Sequence, residues 1–98
     1  MIDKNTGKQI VRYRAVAMNW PPIVGSGYGL YPIDHPSPRV SNSAICYTSN
    51  IVAIDYDTGR IETQNTVYVP GNGDVIKHLR MERDSYEQIR QQIESKYS

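Results

Sequence analysis

Phenylalanine is missing from this 98-residue chain, although eight tyrosines are present. Cysteine occurs once, as Cys46. A single thiol excludes an internal disulfide framework and fits a reducing compartment. No apolar run approaches the roughly 18 residues that a membrane-spanning helix needs. The opening segment MIDKNTGKQIVRYR lacks the apolar stretch of a signal peptide. A cytoplasmic protein with no membrane partner is therefore expected. Charge of one sign is also lacking, since the net charge is +1. Residues 1–40 carry +3, residues 41–73 carry −2, and residues 74–98 are balanced with five charges of each sign. No segment is basic enough to grip a phosphate backbone, so direct nucleic-acid binding is not expected. Aromatic stacking on a single strand is the one such mode left open.

What is there suits one domain over residues 1–98. Folding at this length buries roughly two-thirds of the surface of the unfolded chain. KQIVRYRAVAM (8–18) reads as a strand, with Val11, Tyr13, Ala15 and Ala17 on one side and Arg12 and Arg14 on the other. Five of the six prolines fall between Pro21 and Pro38. Proline cannot donate to a ladder and holds the preceding residue extended. Residues 19–38, NWPPIVGSGYGLYPIDHPSP, are therefore expected to form one long loop, a kind that is usually functional or disordered. Its aromatic and aliphatic content argues against disorder. RVSNSAICYTS (39–49) is a second strand candidate. PGNGD (70–74) breaks the chain before a helical C-terminal stretch. There Asp84 and Glu87 have capping-box spacing. Tyr86, Ile89, Ile93 and Tyr97 form one stripe. Val75, Ile76 and Leu79 suggest a separate turn before that cap.

The most patterned stretch is TSNIVAIDYDTGRIETQNTVYVP, residues 48–70. It reads as two strands reversing at Asp57-Thr58-Gly59-Arg60, with Gly59 supplying a positive φ. Setting Asp57 opposite Arg60 sorts the side chains cleanly. Val52, Ile54, Tyr56, Ile61, Thr63, Asn65, Val67 and Val69 share an apolar face. Ala53, Asp55, Asp57, Arg60, Glu62, Gln64, Thr66 and Tyr68 share a polar one. A slip of one residue would mix both faces. On the apolar face Asn65 needs partners. It either ties down a neighbouring loop, reads a ligand as a polar spot in a pocket floor, or sits at an exposed strand end. The polar face is either simply solvated or a contact surface for a basic partner. Asp55 lies across from Glu62 in this register, but a flat exposed face does not tune carboxyl groups for acid–base catalysis.

GSGYGLYP (25–32) has neither the Lys-Ser/Thr of a P-loop nor a following helix, since Pro32 intervenes. Trp20, Tyr28 and Tyr31 instead suggest a rigid aromatic contact surface, with core packing as the plainer fate of Trp20. Asp34 and His35 are sequence neighbours pointing apart, His78 is isolated, and Cys46 has no second thiol nearby. No metal, cofactor or catalytic residue is expected. The C-terminal helix should cover one sheet face, and the edge of its stripe offers a homodimer contact. The expected fold is α+β, a small antiparallel sheet of about four strands with a C-terminal helix packed on one face.

TSNIVAIDYDTGRIETQNTVYV, preceded by DHPSPRVSNS, resembles a pattern in short proteins of phages, prophages and other mobile elements, over residues 34–69. The resemblance transfers no catalytic or binding residue. It implies a context in which small proteins, anti-CRISPR proteins among them, block a host defence complex by binding it. The expectation is a non-enzymatic binding protein acting on a host protein or nucleic-acid-processing complex in a bacterial cytoplasm. Trp20, Tyr28, Tyr31, Asp55, Asp57, Arg60 and Glu62 are the expected contact residues, with Asn65 as an internal polar anchor. The alternative is a nucleotide-binding or sequestering protein. In it, loop 19–38 closes over Thr63 and Asn65 and Arg12, Arg14 or Arg39 holds phosphate.

Overall fold

The computed structural model describes residues 1–35 and 44–97, the last four of them by backbone alone. The chain is α+β. Its elements are β1 (Gln9–Val16), β2 (Gly29–Pro32), β3 (Cys46–Tyr47), β4 (Ile51–Asp55), β5 (Arg60–Thr63), β6 (Thr66–Pro70) and α1 (Gly73–Tyr97). The strands form one sheet in the order β3-β2-β1-β6-β5-β4, with α1 packed against it. Only β1 and β6 run parallel among these pairs; the others are antiparallel. Among the described residues six strands replace the four expected, for two reasons. The stretch 61–69 is not one strand but two, reversing at Gln64-Asn65. The expected loop 19–38 contains β2.

Pro32 does not forbid β2, because its missing donor points away from β1. Ile33 N–H donates to Arg12 O at 2.8 Å, so odd-numbered residues of β2 face β1 and Pro32 faces the β3 side. The described pairing on that side ends at Leu30–Cys46, so no ladder bond is lost. Of the expected strand 39–49, residues 39–43 lie outside the described residues. The described remainder contributes only Cys46–Tyr47.

The first and last strands of the order, β3 and β4, are joined by residues 48–50. Residues 25–28 pair along this same segment. Thr48 N–H donates to Tyr28 O, Ile51 N–H to Ser26 O and Gly25 N–H to Ile51 O, all at 2.8–2.9 Å. The sheet thus curls until its two edges meet through one continuous run of chain. Closure leaves little open edge for another strand to pair with. It also gathers one core from every side: Val11, Tyr13, Tyr28, Leu30, Ile51, Ile61 and Tyr68, capped by Val75 and Leu79 of α1.

Two bulges adjust which side chains face that core. Between Tyr13 and Ala15 the β1–β2 register shifts, which reverses alternation and lets Val16 and Met18 join Val11 and Tyr13 against the core. A second shift between Ile51 and Ala53 turns Ile51 inward and leaves Val52 44% exposed. Val52 was expected inside. The hairpin itself pairs Asp55 with Arg60 and Ile54 with Ile61, a four-residue turn rather than the expected two-residue one. The slip is two residues, so it preserves which faces Ile54 and Ile61 share. It does separate Asp55 from Glu62, which instead lies opposite Ala53.

Helix α1 is continuous from Gly73, so the separate turn at 75–79 does not exist. The cap lies earlier than expected. Asn72 accepts Asp74 N–H through Oδ1 at 3.1 Å, and Asp74 supplies a carboxylate in the first turn. Asp84, the expected cap, sits mid-helix and pairs with Arg83 at 3.2 Å. Val75 and Leu79 do the covering assigned to the later stripe.

Gly59 sets the packing of the hairpin against the rest. Its φ is +76°, its N–H donates to Asp55 O at 2.8 Å, and its carbonyl accepts the buried Tyr13 hydroxyl. A Cβ at this position would lie 2.9 Å from Pro70 Cγ and 3.1 Å from Ile76 Cγ1. Gly59→Ala should therefore destabilise by about 2–4 kcal/mol, combining left-handed strain with overpacking. Tyr13→Phe leaves the Gly59 carbonyl without its hydroxyl and should cost about 1–3 kcal/mol. Urea unfolding with an unchanged slope measures both. A loss under about 0.5 kcal/mol for Gly59→Ala would contradict this packing.

Candidate protein-binding groove

Residues 19–28 leave β1 and return to β2 by way of the start of β4. Pro21 and Pro22 stiffen the outgoing limb. Ser26 N–H closes a turn on Ile23 O at 3.1 Å, and Gly25 takes a φ of +95° to reach Ile51. Two phenols fasten the limb to the core. Tyr28 donates to Trp20 O at 2.6 Å and Tyr56 to Pro22 O at 3.2 Å. Burial raises the pKa of both phenols above the ordinary tyrosine value, so both stay protonated donors at neutral pH. This is what tyrosine does here that phenylalanine cannot: the ring fills the core while the hydroxyl holds a loop carbonyl.

A fixed loop should bury its apolar side chains, and this one buries Pro21, Pro22 and Tyr28 but not the rest. Trp20 is 49% exposed, Ile23 40% and Val24 61%. Across from them lies the middle of α1. Between the two runs a groove of about 330 Å³, with residues 21–24 on one side, Arg83, Tyr86, Glu87 and Arg90 on the other, and Ile54 and Tyr56 also lining it. The Arg83 guanidinium stacks over the Tyr56 ring at 4.9 Å, which fixes one rim of the groove. The groove is apolar within and charged at the helix rim, the usual distribution of a protein contact.

The expected contact residues are not gathered at this place. Trp20 stands on the loop and is open. Tyr28 is not a surface residue; its ring is in the core. Tyr31 is half-buried beneath the Arg14 guanidinium, 4.8 Å from the ring centre. Asp55 is exposed and accepts Asp57 N–H at 2.9 Å within the turn. Asp57 is exposed and reaches Arg80 of α1 at 3.1 Å. Arg60 and Glu62 are held on the outer side of the sheet by the N-terminal segment. Lys8 pairs with Glu62 at 2.7 Å and also donates to Thr63 O, while Arg60 bridges Glu62 and Asp3, each at 3.5 Å. Tyr68, expected on this wet side, is buried in the core, and burial pushes its phenol up to about 12, with Cys46 adding to the shift.

Asn65 is not an internal anchor. It is exposed in the β5–β6 turn, while Thr63 is the buried polar residue. The Thr63 hydroxyl is already used, accepting Thr66 N–H at 3.1 Å and donating to Thr66 O at 3.0 Å. The arginines of the nucleotide alternative are equally occupied or dispersed. Arg12 pairs with Asp34 at 3.0 Å, Arg14 stacks on Tyr31, and Arg39 lies outside the described residues. A smaller cavity of about 220 Å³ adjoins Arg14, His78 and the start of α1, but Asp74 lines it too and opposes an anion there. Among the described residues no three His, Cys, Asp or Glu side chains converge as metal ligands. Among them no helix is long and apolar enough to cross a membrane.

Ile23 and Val24 went unread in the sequence because an apolar pair inside a proline–glycine loop looks like ordinary anchoring. The available signal was the stiffness of Pro21-Pro22, which cannot bend to bury both. Comparison of the chain with protein-family models, curated proteins and solved structures finds no match.

The Lys8–Glu62 contact gives the outer side a measurable acid response. The Lys8 hydrogen bond, with help from the Lys8 and Arg60 charges, lowers the Glu62 carboxyl below its usual range. A depressed folded-state value means that the unfolded chain binds the proton more readily. The stabilisation is therefore full above the ordinary glutamate value of about 4.3 and is lost as pH falls through the lower folded value. Glu62→Gln should lower stability at pH 7 and flatten the loss of stability on acidification below about pH 4.5. Urea midpoints measured from pH 7 to 3 check this, and identical acid slopes in both proteins would contradict it.

Proposed function

We propose that this is a small non-enzymatic binding protein that docks on another protein through the rigid apolar rim at residues 20–24. One observation carries the reading: Trp20, Ile23 and Val24 are exposed on a loop fixed by two phenolic hydroxyls and backbone bonds. Exposed apolar side chains on a mobile loop signify little. Held rigid beside an apolar groove, they form a preorganised contact whose ordering cost is already met in the free protein. Trp and Tyr at such positions supply large area for few rotatable bonds. The exposed Asp55 and Asp57 lie on the turn that follows Ile54, and they add negative charge at the margin for a partner with basic groups.

The target is a host protein or protein complex in a bacterial cytoplasm. It fits the phage-like context that the hairpin sequence suggests, in which a small inhibitor of a nucleic-acid-processing defence complex acts by occupying its surface. No catalytic step is assigned to the chain.

The test uses the purified chain as bait in host lysate, beside Trp20→Ala and Val24→Asp. Both sites are exposed, so circular dichroism should be unchanged. A protein captured by the parent chain should be depleted at least tenfold by either substitution, since truncating a central aromatic anchor typically removes 2 kcal/mol or more. Asn65→Ala, at the exposed β5–β6 turn, should leave capture intact. Equal capture by all four baits would remove the loop from the interface.

A further inference from the structure

Helix α1 outruns the sheet that it covers. Its 25 residues span about 37 Å, and the molecule is 48 Å long but only 26 and 23 Å across. The radius of gyration of 14.3 Å exceeds the roughly 13 Å of a compact chain of this length. Val75, Leu79, Tyr86, Ile89 and Ile93 lie along one seam with heptad-like spacing, interrupted at Glu82. The first two are buried in the core. The last three are 43%, 57% and 53% exposed. The seam is apolar where the sheet covers it and stays apolar where nothing described does.

We infer that a second copy of this chain covers it, through antiparallel pairing of the outer halves of α1 about a two-fold axis at Ile89. The charge pattern selects this occupant. Arg83, Glu87 and Arg90 follow one another along one flank of the seam. An antiparallel two-fold sets each flank beside the same flank of the other helix. With the axis at Ile89, the two Ile89 side chains meet and Tyr86 falls beside Ile93 of the second copy. Glu87 falls beside Arg90 of the second copy, and Arg90 beside its Glu87, each within one residue along the helix. The sequence has Glu94 at the position that comes nearest Arg83. Parallel pairing would instead set this flank against the one holding Ser85 and Gln92, which carries no carboxylate in the outer half of the helix. Within a single helix, Arg83 before Glu87 is the weaker orientation of an i,i+4 pair. The order that is poor within a helix is complementary across the two-fold.

Length selects the same register. An axis at Ile89 places residue 97 of one copy opposite residue 81 of the other. The paired stretch then ends where the sheet-covered stretch, closing with Leu79, begins. Each curled sheet stands at an opposite end of the helix pair, and the second helix covers Arg83, Tyr86, Glu87 and Arg90, the helix wall of the groove, while the exposed side chains of Trp20, Ile23 and Val24 form the rim beside it. This goes beyond the reading of that loop as a target-binding rim, and the two fail separately.

Sedimentation equilibrium on the full chain tests it. The parent protein should show twice the 11.2 kDa chain mass at about 100 µM, with a Kd in the micromolar range or tighter. Ile89→Asp should be monomeric with an unchanged circular dichroism spectrum, because Ile89 makes no core contact. Glu87→Arg and Arg90→Glu should each weaken the dimer about tenfold or more. The double variant Glu87→Arg/Arg90→Glu should restore it to within about threefold, which nonspecific stickiness would not do. Trp20→Ala should remain dimeric, which separates this proposal from the function of the loop. A monomeric parent chain, a dimeric Ile89→Asp, or a double variant no tighter than the singles would each overturn the inference. So would a parent that stays monomeric while Ile89→Asp loses the captured target, an outcome that assigns the seam to the target.

Discussion

The contact of the Tyr13 hydroxyl with the Gly59 carbonyl governs the rest of the molecule. Tyr13 sits at the centre of β1, fully buried, with β2 on one side and β6 on the other. Gly59 closes the β4–β5 turn, two strands away. The bond between them requires the turn to fold inward over the open end of the curled sheet, where Pro70 and Ile76 occupy the space that a side chain on the glycine would need. A side chain at residue 59 would hold the turn off that surface. The hairpin would then have no fixed angle to α1, and Tyr56, the residue that begins the turn, would lose its aim at Pro22. One achiral residue and one phenol thus connect the core, the helix start and the loop.

The substitution of tyrosine for phenylalanine throughout is the same constraint repeated. A core of about ten large side chains in so short a chain has little apolar area to spare. Placing hydroxyls at its margin adds direction without giving up ring burial. Tyr13, Tyr28 and Tyr56 each donate to a backbone carbonyl in a turn or loop, at Gly59, Trp20 and Pro22. None of those carbonyls belongs to a ladder, so each would otherwise be half-buried and unpaired. The irregular fraction of the chain is thereby fixed by its core instead of by added helix or sheet. The mutual fixing also explains how residues 19–28 hold one shape without secondary structure of their own.

The sequence pattern disclosed some of these features and hid others, and the division has a physical basis. Alternation from Ile54 to Thr63 identified the hairpin and its inner face correctly, although the turn was misjudged, because a two-residue slip leaves face assignment unchanged. Alternation failed at Val52 because a bulge adds one residue and inverts it, and nothing in Ile51-Val52-Ala53 marks which residue will be the extra one. Tyr68 was misplaced because residues 61–69 were treated as one strand. The reversal at Gln64-Asn65 lacks the glycine that usually announces it. Glycine and proline were overweighted elsewhere: they concealed β2 within the loop and suggested a break through Asp74 where Asn72 and Asp74 begin a helix. For the candidate groove, the aromatic content of the loop pointed to Trp20 but also to Tyr28, since composition does not tell which of two aromatic rings faces inward. Tyr86, Ile89 and Ile93 were legible as a stripe. Their exposure was not, because it depends on the length of the sheet beneath them.

That length mismatch is the step that links fold to association. Strands of two to eight residues can support only the first two turns of a 25-residue helix. An apolar stripe continuing past that support is costly in water, at about 25 cal/mol for each Å² of apolar surface. A sequence under no demand to associate would turn polar after Leu79, and it does so only at Glu82. The stripe then resumes with isoleucine at two positions, flanked by charges whose order is unfavourable within the helix and favourable across a two-fold. The loop at residues 20–24 shows the complementary design: apolar, fixed by the core, and free of charge. Two apolar surfaces of different character adjoin on one small domain, meeting at Arg83, Tyr86, Glu87 and Arg90. The helical one matches itself in charge and spacing, whereas the loop has no such symmetry and suits an unlike partner. A dimer built on the first would present two copies of the second, raising the effective affinity for any target that displays its site more than once.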